Sequence, residues 1–255
     1  MGKKRVQMKK EEPMIVYWAP KSDYANKNLG EWNMLHAKPQ SLFNHLLEEK
    51  HPEAGNRSIF SCPPWATKAK RTFIFRQPYD SHYRYDFTGD NTSVESLTPI
   101  RTNLEPFRQT QSFKDKIQLT LFHETMFFAE EPLIATMMSP YFHEPKYTKY
   151  GAIANGEYDI GQWYRPVSPD ITFWKPKGEF LLEENEPLFY MEFQTDRPVI
   201  LKRYKFNGQL NAYSDACVNA PFNLESRVPL AKRYARFRNA NMRELILKEI
   251  KENLI

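Results

Sequence analysis

Residues 156–206, GEYDIGQWYRPVSPDITFWKPKGEFLLEENEPLFYMEFQTDRPVILKRYKF, decide the fold class of this chain. They contain four or five short runs that are typical of strands, with turn residues between them. The densest run, PLFYMEFQ at residues 187–194, mixes aromatic and aliphatic side chains and has Glu192 as its only charge. Such a run is expected of a strand that is buried on at least one face. The tight turns at 184–186 and 195–197 are each followed by a proline where the next strand begins.

The rest of the chain extends this pattern. Further strands are predicted at residues 14–18, 72–76, 83–87, 116–122, 126–129 and 133–138, and helices at 41–50, 61–70, 207–218 and 230–254, the last broken near 239–241. Ser41 is expected to cap the first of these helices, because its hydroxyl can accept a hydrogen bond from the first turn. The polar residues 88–103 predict an exposed loop. The sequence therefore predicts a mainly β, α+β fold, an antiparallel and jelly-roll-like β sandwich with C-terminal helices.

The chain divides into three predicted segments. Residues 1–13 form a basic disordered arm, residues 14–206 a β-rich domain, and residues 207–255 a C-terminal helical extension. Met242, Leu245, Ile246 and Ile250 share one face of the last helix. An apolar face of that kind must be covered, so the extension is expected to pack on the domain or on a partner.

Charge is distributed unevenly along the chain. The 255 residues carry 36 Lys and Arg against 31 Asp and Glu, a formal net charge of +5. The first ten residues hold five basic residues and residues 227–255 hold eight basic and three acidic ones, so removing both ends leaves 23 basic and 28 acidic residues, a net charge of −5. A fold that grips a nucleic-acid backbone normally shows the opposite balance. Nucleic acid remains a possible partner only through the basic ends.

Composition and local pattern argue against three further classes: disordered chains, membrane-helix proteins and proteins with a secretory signal. A hydrophobic content of 41% with 15% aromatic residues excludes wholesale disorder. No apolar run approaches the ~18 residues of a membrane helix, and the charged N-terminus lacks the apolar stretch of a secretory signal. Cys62 and Cys217 lack any CxxC spacing, so two free thiols in a reducing compartment are expected.

Several short motifs give the chain a resemblance to a known group of proteins. They are SCPPW at residues 61–65, FIFRQPYD at 73–80, GQWYRP at 161–166 and EPLFYMEF at 186–193. Together they resemble uncharacterised proteins of tailed bacteriophages, particularly T4-like phages of marine bacteria, over about residues 14–206. The resemblance implies a viral origin and a location in the host cytoplasm, with possible incorporation in the virion. It implies no activity, because that family has no established one.

Catalytic and metal-binding motifs are weak. The pairs His123–Glu124 and His143–Glu144 contain the residue types of a non-haem iron centre, but adjacent residues on a strand point to opposite faces and cannot bind one ion together. A further pair of candidates, His82 and Asp86, lies four positions apart along the chain. No GxSxG or glycine-rich phosphate loop is present. We therefore predict no catalytic residues, no metal ligands and no cofactor.

Two segments are candidate interaction surfaces. Trp163, Tyr164 and Arg165 belong to residue types that dominate interface hot spots. The alternative, which is preferred, is that Trp163 plugs the end of the sheet and Arg165 pairs with a carboxylate at the edge of the core. The second segment is a basic helix that contains Lys232, Arg233, Arg236 and Arg238. It can lie along phosphates or dock on the acidic body of its own chain or of a neighbour, and docking is preferred.

Three functions are compatible with these patterns. The first is a non-enzymatic virion or assembly component that acts through contacts with itself or with other phage proteins. The second is a cupin-like, metal-dependent oxygenase. The third is a nucleic-acid-associated protein that uses its basic termini. The sequence favours the first.

Overall fold

The computed structural model describes residues 12–21, 37–49, 59–88, 93–97, 107–113, 116–121, 123–218 and 230–255. The strands are β1 Met14–Pro20, β2 Gln40–Ser41, β3 Thr72–Arg76, β4 Ser81–Asp86, β5 Ser93–Ser96, β6 Phe107–Phe113, β7 Lys116–Leu121, β8 Thr125–Ala129, β9 Ile134–Met138, β10 Gly151–Ile153, β11 Gly156–Asp159, β12 Pro166–Val167, β13 Asp170–Phe173, β14 Lys177–Leu182, β15 Pro187–Phe193 and β16 Val199–Arg203. The helices are α1 Leu42–Glu48, α2 Pro63–Arg71, α3 Gly208–Val218, α4 Leu230–Asn239 and α5 Met242–Glu252.

The strands form four sheets, in the orders β12-β8-β1-β16, β10-β13-β7-β6, β11-β9-β15-β3-β2 and β14-β4-β5. Every pairing among them is antiparallel except that of β1 with β16, which is parallel. The prediction of a mainly β, α+β fold with C-terminal helices is confirmed. The prediction of a loop over residues 88–103 is wrong in part, because β5 lies within that range and pairs with β4.

Strand β15 is the centre of the largest sheet. All seven of its residues are buried, and it pairs with β3 on one side and β9 on the other, which confirms the prediction of a buried strand there. Its only charge, Glu192, accepts a hydrogen bond from Nε of Arg71 at 3.0 Å and lies 3.2 Å from Nζ of Lys68. Both cations belong to α2, so the one buried carboxylate of β15 fixes α2 against this sheet.

The main core is rich in aromatic rings. Phe75 stacks on Phe189 with ring centroids 5.0 Å apart and meets the edge of Phe127 at 5.2 Å. Phe193 contacts Phe127 at 6.3 Å and Phe73 at 5.7 Å. These rings come from three strands in two sheets, so burying them holds the sheets face to face.

The C-terminal helices build a second core on the outer side of β1 and β8. Trp18 of β1 faces the main core, whereas its neighbour Tyr17 faces the helices. Phe127 and Phe128 of β8 divide in the same way, because successive side chains of a strand point to opposite faces. The second core is completed by buried residues of the extension, among them Leu210, Cys217, Phe237, Ile246 and Ile250. The extension therefore packs on its own domain.

The start of α1 and the break between α4 and α5 lie where the sequence predicts them. Ser41 caps α1, and its Oγ accepts a hydrogen bond from the backbone N–H of Asn44 at 3.2 Å, as predicted. The predicted break near residues 239–241 is also present, because Asn241 adopts a left-handed conformation with φ 52° between α4 and α5. None of the helices in the described part of the chain is long and apolar enough to cross a membrane.

The predicted N-terminal arm lies outside the described residues except for its last two, Glu12 and Pro13. The guanidinium of Arg197 donates hydrogen bonds to both of their carbonyl oxygens, at 2.7 Å and 3.3 Å. Arg197 also pairs with Glu131 at 2.8 Å. This arginine therefore fixes the backbone just before β1.

Candidate functional site

Five aromatic side chains form a continuous surface where α1, α2 and the segment after β9 meet. Trp65 lies at its middle, with ring centroids 5.3 Å from Phe60, 5.6 Å from Phe142 and 6.3 Å from Phe43. Tyr141 extends the contact from Phe142, at 6.2 Å. We call Phe43, Phe60, Trp65, Tyr141 and Phe142 the aromatic face.

The aromatic face is partly open to solvent. Tyr141 is 48% exposed and Phe142 is 39% exposed. Leu47 of α1 and Ile59 of the 3₁₀ helix Ile59–Ser61 are each 43% exposed. Aromatic side chains of this size usually lie mostly inside a domain. Exposure of two such side chains in contact with each other marks this surface as a candidate contact site.

A small core beneath this surface positions it. Leu42 of α1 and Ala69 of α2 are wholly buried against Ile74 of β3 and Tyr190 of β15. Two prolines, Pro63 and Pro64, occupy the first turn of α2, where proline is tolerated because those N–H groups have no helical partner. The two helices are thus docked on the largest sheet, and the aromatic rings project from a rigid base.

A polar cluster lies beside the aromatic face. Nε2 of His45, on α1, is 2.9 Å from Nε2 of His143, which directly follows Phe142. The same Nε2 of His45 lies 3.2 Å from Oε1 of Glu49, one helical turn further on. Nδ1 of His143 is hydrogen-bonded to the hydroxyl of Tyr190. Two imidazoles and one carboxylate therefore converge, with a buried phenol behind them; we call His45, Glu49 and His143 the His–Glu cluster.

Burial affects the protonation of His143 in this cluster. His45 is only 9% exposed. Burial, and next the neighbouring His45, lower the pKa of His143 to about 4, so the imidazole of His143 is neutral at pH 7. Burial also raises the pKa of Tyr190 well above its usual value. A neutral imidazole, a carboxylate and a second imidazole can ligate a cation or share a proton.

Four basic residues also line a nearby groove, and two of them are already paired with carboxylates. This groove has a volume of about 900 Å³ and runs between α1, α2 and β16. Two of its cations, Arg71 and Arg197, form ion pairs with Glu192 and Glu131. A third, Lys70, lies 4.9 Å above the ring of Phe43. The two arginines are thus neutralised within the chain, which makes the groove a weaker candidate than the aromatic face.

The histidines considered from the sequence have different surroundings. His143 joins His45 and Glu49, whereas its sequence neighbour Glu144 is exposed and outside this group. The ring of His123 meets Tyr79 edge-on at 5.6 Å. His82 lies 3.5 Å from Glu179 of the neighbouring strand. The prediction of no metal ligands stays a prediction, but the His–Glu cluster is a candidate that the sequence pairs did not identify.

The first predicted interaction segment lies largely inside the molecule. Tyr164 is wholly buried in the second core, and its hydroxyl lies 2.9 Å from that of Tyr204. It therefore offers no surface to a partner, and its assignment as a contact residue is corrected. Trp163 and Arg165 are half-buried, and Trp163 packs against the second core. The alternative in which Trp163 plugs the end of the sheet stays a prediction.

The second predicted segment is only partly described. Lys232 and Arg238 are exposed, and Nη1 of Arg238 donates to Oε1 of Gln162 at 3.3 Å. The side chains of Arg233 and Arg236 lie outside the described ones. Because Phe237 of the same helix is buried in the second core, α4 docks on its own domain through at least one face.

Sequence reasoning missed His45 and Glu49. One signal was visible, since a histidine and a glutamate four residues apart share a face of a helix. Their approach to His143 was not visible, because 98 residues separate the two histidines.

Comparison with known proteins assigns nothing: no protein-family model, curated protein or solved structure matches this chain.

Proposed function

We propose that this chain is a non-enzymatic protein of a tailed bacteriophage, a virion component or assembly factor, and that it acts through protein contacts made by the aromatic face. The observation that carries the proposal is the joint exposure of Tyr141 and Phe142 within a set of touching rings. Tyrosine and tryptophan are enriched among the residues that dominate binding energy. The viral origin rests on the sequence resemblance.

The close packing of the rings in the aromatic face supports the same proposal. Each ring of the aromatic face contacts another ring, and Tyr141 also meets the wholly buried Tyr190 at 5.1 Å. Side chains held in this way lose little conformational entropy when a partner binds. A preorganised aromatic surface is therefore suited to protein recognition.

The proposal is tested by photo-crosslinking in the cells that produce the protein. A photo-reactive phenylalanine analogue replaces Phe142 in one variant and Trp174 in a control variant; Trp174 is 49% exposed and lies outside the aromatic face. We expect position 142 to crosslink to a defined protein, either a second copy or another phage protein, and position 174 to give no such product. Mass spectrometry of purified virions then shows whether the chain is incorporated.

Two results would contradict the proposal. One is the same crosslinking pattern at positions 142 and 174, which would show that the aromatic face has no special affinity for protein. The other is a monomer that gives no crosslink at position 142 and is missing from virions.

A further inference from the structure

We infer that His45, Glu49 and His143 bind one divalent transition-metal ion of the zinc class. The His–Glu cluster is a group of three potential ligands whose donor atoms all lie within 4.8 Å of one another. It comes from two separate parts of the chain, α1 and the segment after β9. The inference is independent of the proposed protein contacts.

The spacing of the donor atoms suits one ion. Ligands about 2.0–2.1 Å from a tetrahedral ion lie about 3.3 Å apart, and neighbouring ligands of an octahedral ion about 2.9 Å apart. The observed separations are 2.9 Å between the two Nε2 atoms and 3.2 Å between Nε2 of His45 and Oε1 of Glu49. Both values are close to the edges of such a coordination polyhedron. The third separation, between the donor atoms of His143 and Glu49, is at most 4.8 Å.

The hydrogen bond to Tyr190 prepares His143 to act as a ligand. Ligating histidines usually donate the other ring N–H to an oxygen, which fixes both the tautomer and the ring orientation. An N–H at Nδ1 of His143 that donates to the Tyr190 oxygen leaves the lone pair at Nε2, where it accepts a hydrogen bond from Nε2–H of His45. Binding of the ion requires that proton of His45 to move to Nδ1 of the same ring or to solvent. Tyr190 is wholly buried in β15, so this orienting group is held rigidly.

The donor set indicates the class of metal. Imidazole nitrogens favour zinc, copper, nickel and iron, whereas magnesium and calcium prefer sites built from oxygen ligands. Glu49 is exposed at the end of α1 and can rotate to complete the set. Three protein ligands leave a position for water, as in zinc sites that are open to solvent. A bound ion would also join α1 to the residue that follows Phe142.

The test is metal binding by the purified, metal-stripped chain. Isothermal titration with zinc is expected to give one ion per chain, and cobalt substitution is expected to give the visible absorption of a site with nitrogen ligands. His143→Gln should weaken binding by at least about 100-fold, because loss of a merely orienting group already costs about 10–100-fold. Glu49→Gln should weaken binding by at least about tenfold, the lower end of the cost of losing an orienting group. Because Glu49 is exposed, this variant is expected to keep the fold intact. His82→Gln is the matched control, since His82 also lies beside a glutamate.

The outcomes of the metal titrations distinguish binding at the His–Glu cluster from binding elsewhere. Stoichiometric binding that both cluster variants reduce, and that the His82 control retains, supports the inference. Absence of zinc binding by the wild-type chain overturns it. Binding that Glu49→Gln and His143→Gln leave unchanged overturns it too, because the ion must then be held elsewhere. None of these outcomes bears on the crosslinking result at position 142.

Discussion

Replacement of Phe193 by alanine tests the placement of β15 at the centre of the fold. The Phe193 side chain is wholly buried and touches the rings of Phe73 and Phe127. The variant removes the whole ring from a site that three strands enclose. Because those strands are held by their own ladders, the surroundings can collapse only partly into the space.

Two contributions determine how much stability the Phe193→Ala variant loses. Transfer of the buried ring to water costs about 2–3 kcal/mol. An unfilled space of about 100 Å³, at about 24 cal/mol per Å³, adds about 2 kcal/mol. The free energy of unfolding should therefore fall by about 4–5 kcal/mol. This is a large part of the total free energy of unfolding of a typical domain, which is about 5–15 kcal/mol.

Urea denaturation followed by tryptophan fluorescence measures the change. Phe142→Ala is the matched control, because it deletes the same atoms from an exposed position and should cost less than about 1 kcal/mol. A Phe193→Ala midpoint equal to that of the wild-type chain, with an equal slope, would refute the central placement of β15.

Three further predictions concern other parts of the molecule. Truncation after Asn239 removes α5 and uncovers the second core, so the free energy of unfolding should fall by at least about 4 kcal/mol or the protein should become insoluble; an unchanged melting temperature would contradict the observed packing. The hydroxyl of Tyr17 donates a hydrogen bond to Glu130 at 2.5 Å and lowers the pKa of Glu130 in the folded state. This hydrogen bond therefore stabilises the fold fully above about pH 4.5, the pKa of Glu130 in the unfolded chain, and the stabilisation is lost as the pH falls through the lower pKa of the folded state. Denaturation between pH 7 and pH 3 should show a shallower loss for Glu130→Gln than for the wild-type chain, and equal slopes would disprove the linkage. Burial raises the pKa of Cys217 to about 11, whereas Cys62 is exposed, so a thiol reagent should titrate one cysteine in the native chain and two after unfolding; two fast native thiols would show that the second core is open.

Local patterns predicted most of the regular elements. Asn185, in the predicted turn at residues 184–186, has φ 64°, a conformation that asparagine tolerates better than most residues. The cap at Ser41 and the break at Asn241 also depend only on neighbouring residues. By contrast, β5 has the sequence SVES with three of four residues exposed, so it carries no hydrophobic alternation, and only its pairing with β4 identifies it as a strand.

The candidate site was less predictable for a related reason. The spacing of the aromatic residues of α1 and α2 predicts only which face of each helix they occupy. It does not show that Phe142 contacts Trp65. The His–Glu cluster likewise depends on a long-range approach. Sequence periodicity reports which side of an element is buried, but it does not report which elements meet there.

The parallel pairing of β1 with β16 affects how the protein folds during synthesis. Arg197, at the start of this pairing, and its partner Glu12 are 185 residues apart. At about 5–20 residues per second, a ribosome needs about 10–40 s to add a stretch of this length. Throughout that time one edge of β1, an apolar strand, has no partner strand, although β8 emerges earlier and can cover the other edge. Nascent chains are therefore expected to depend on chaperones that shield this edge until translation is nearly complete.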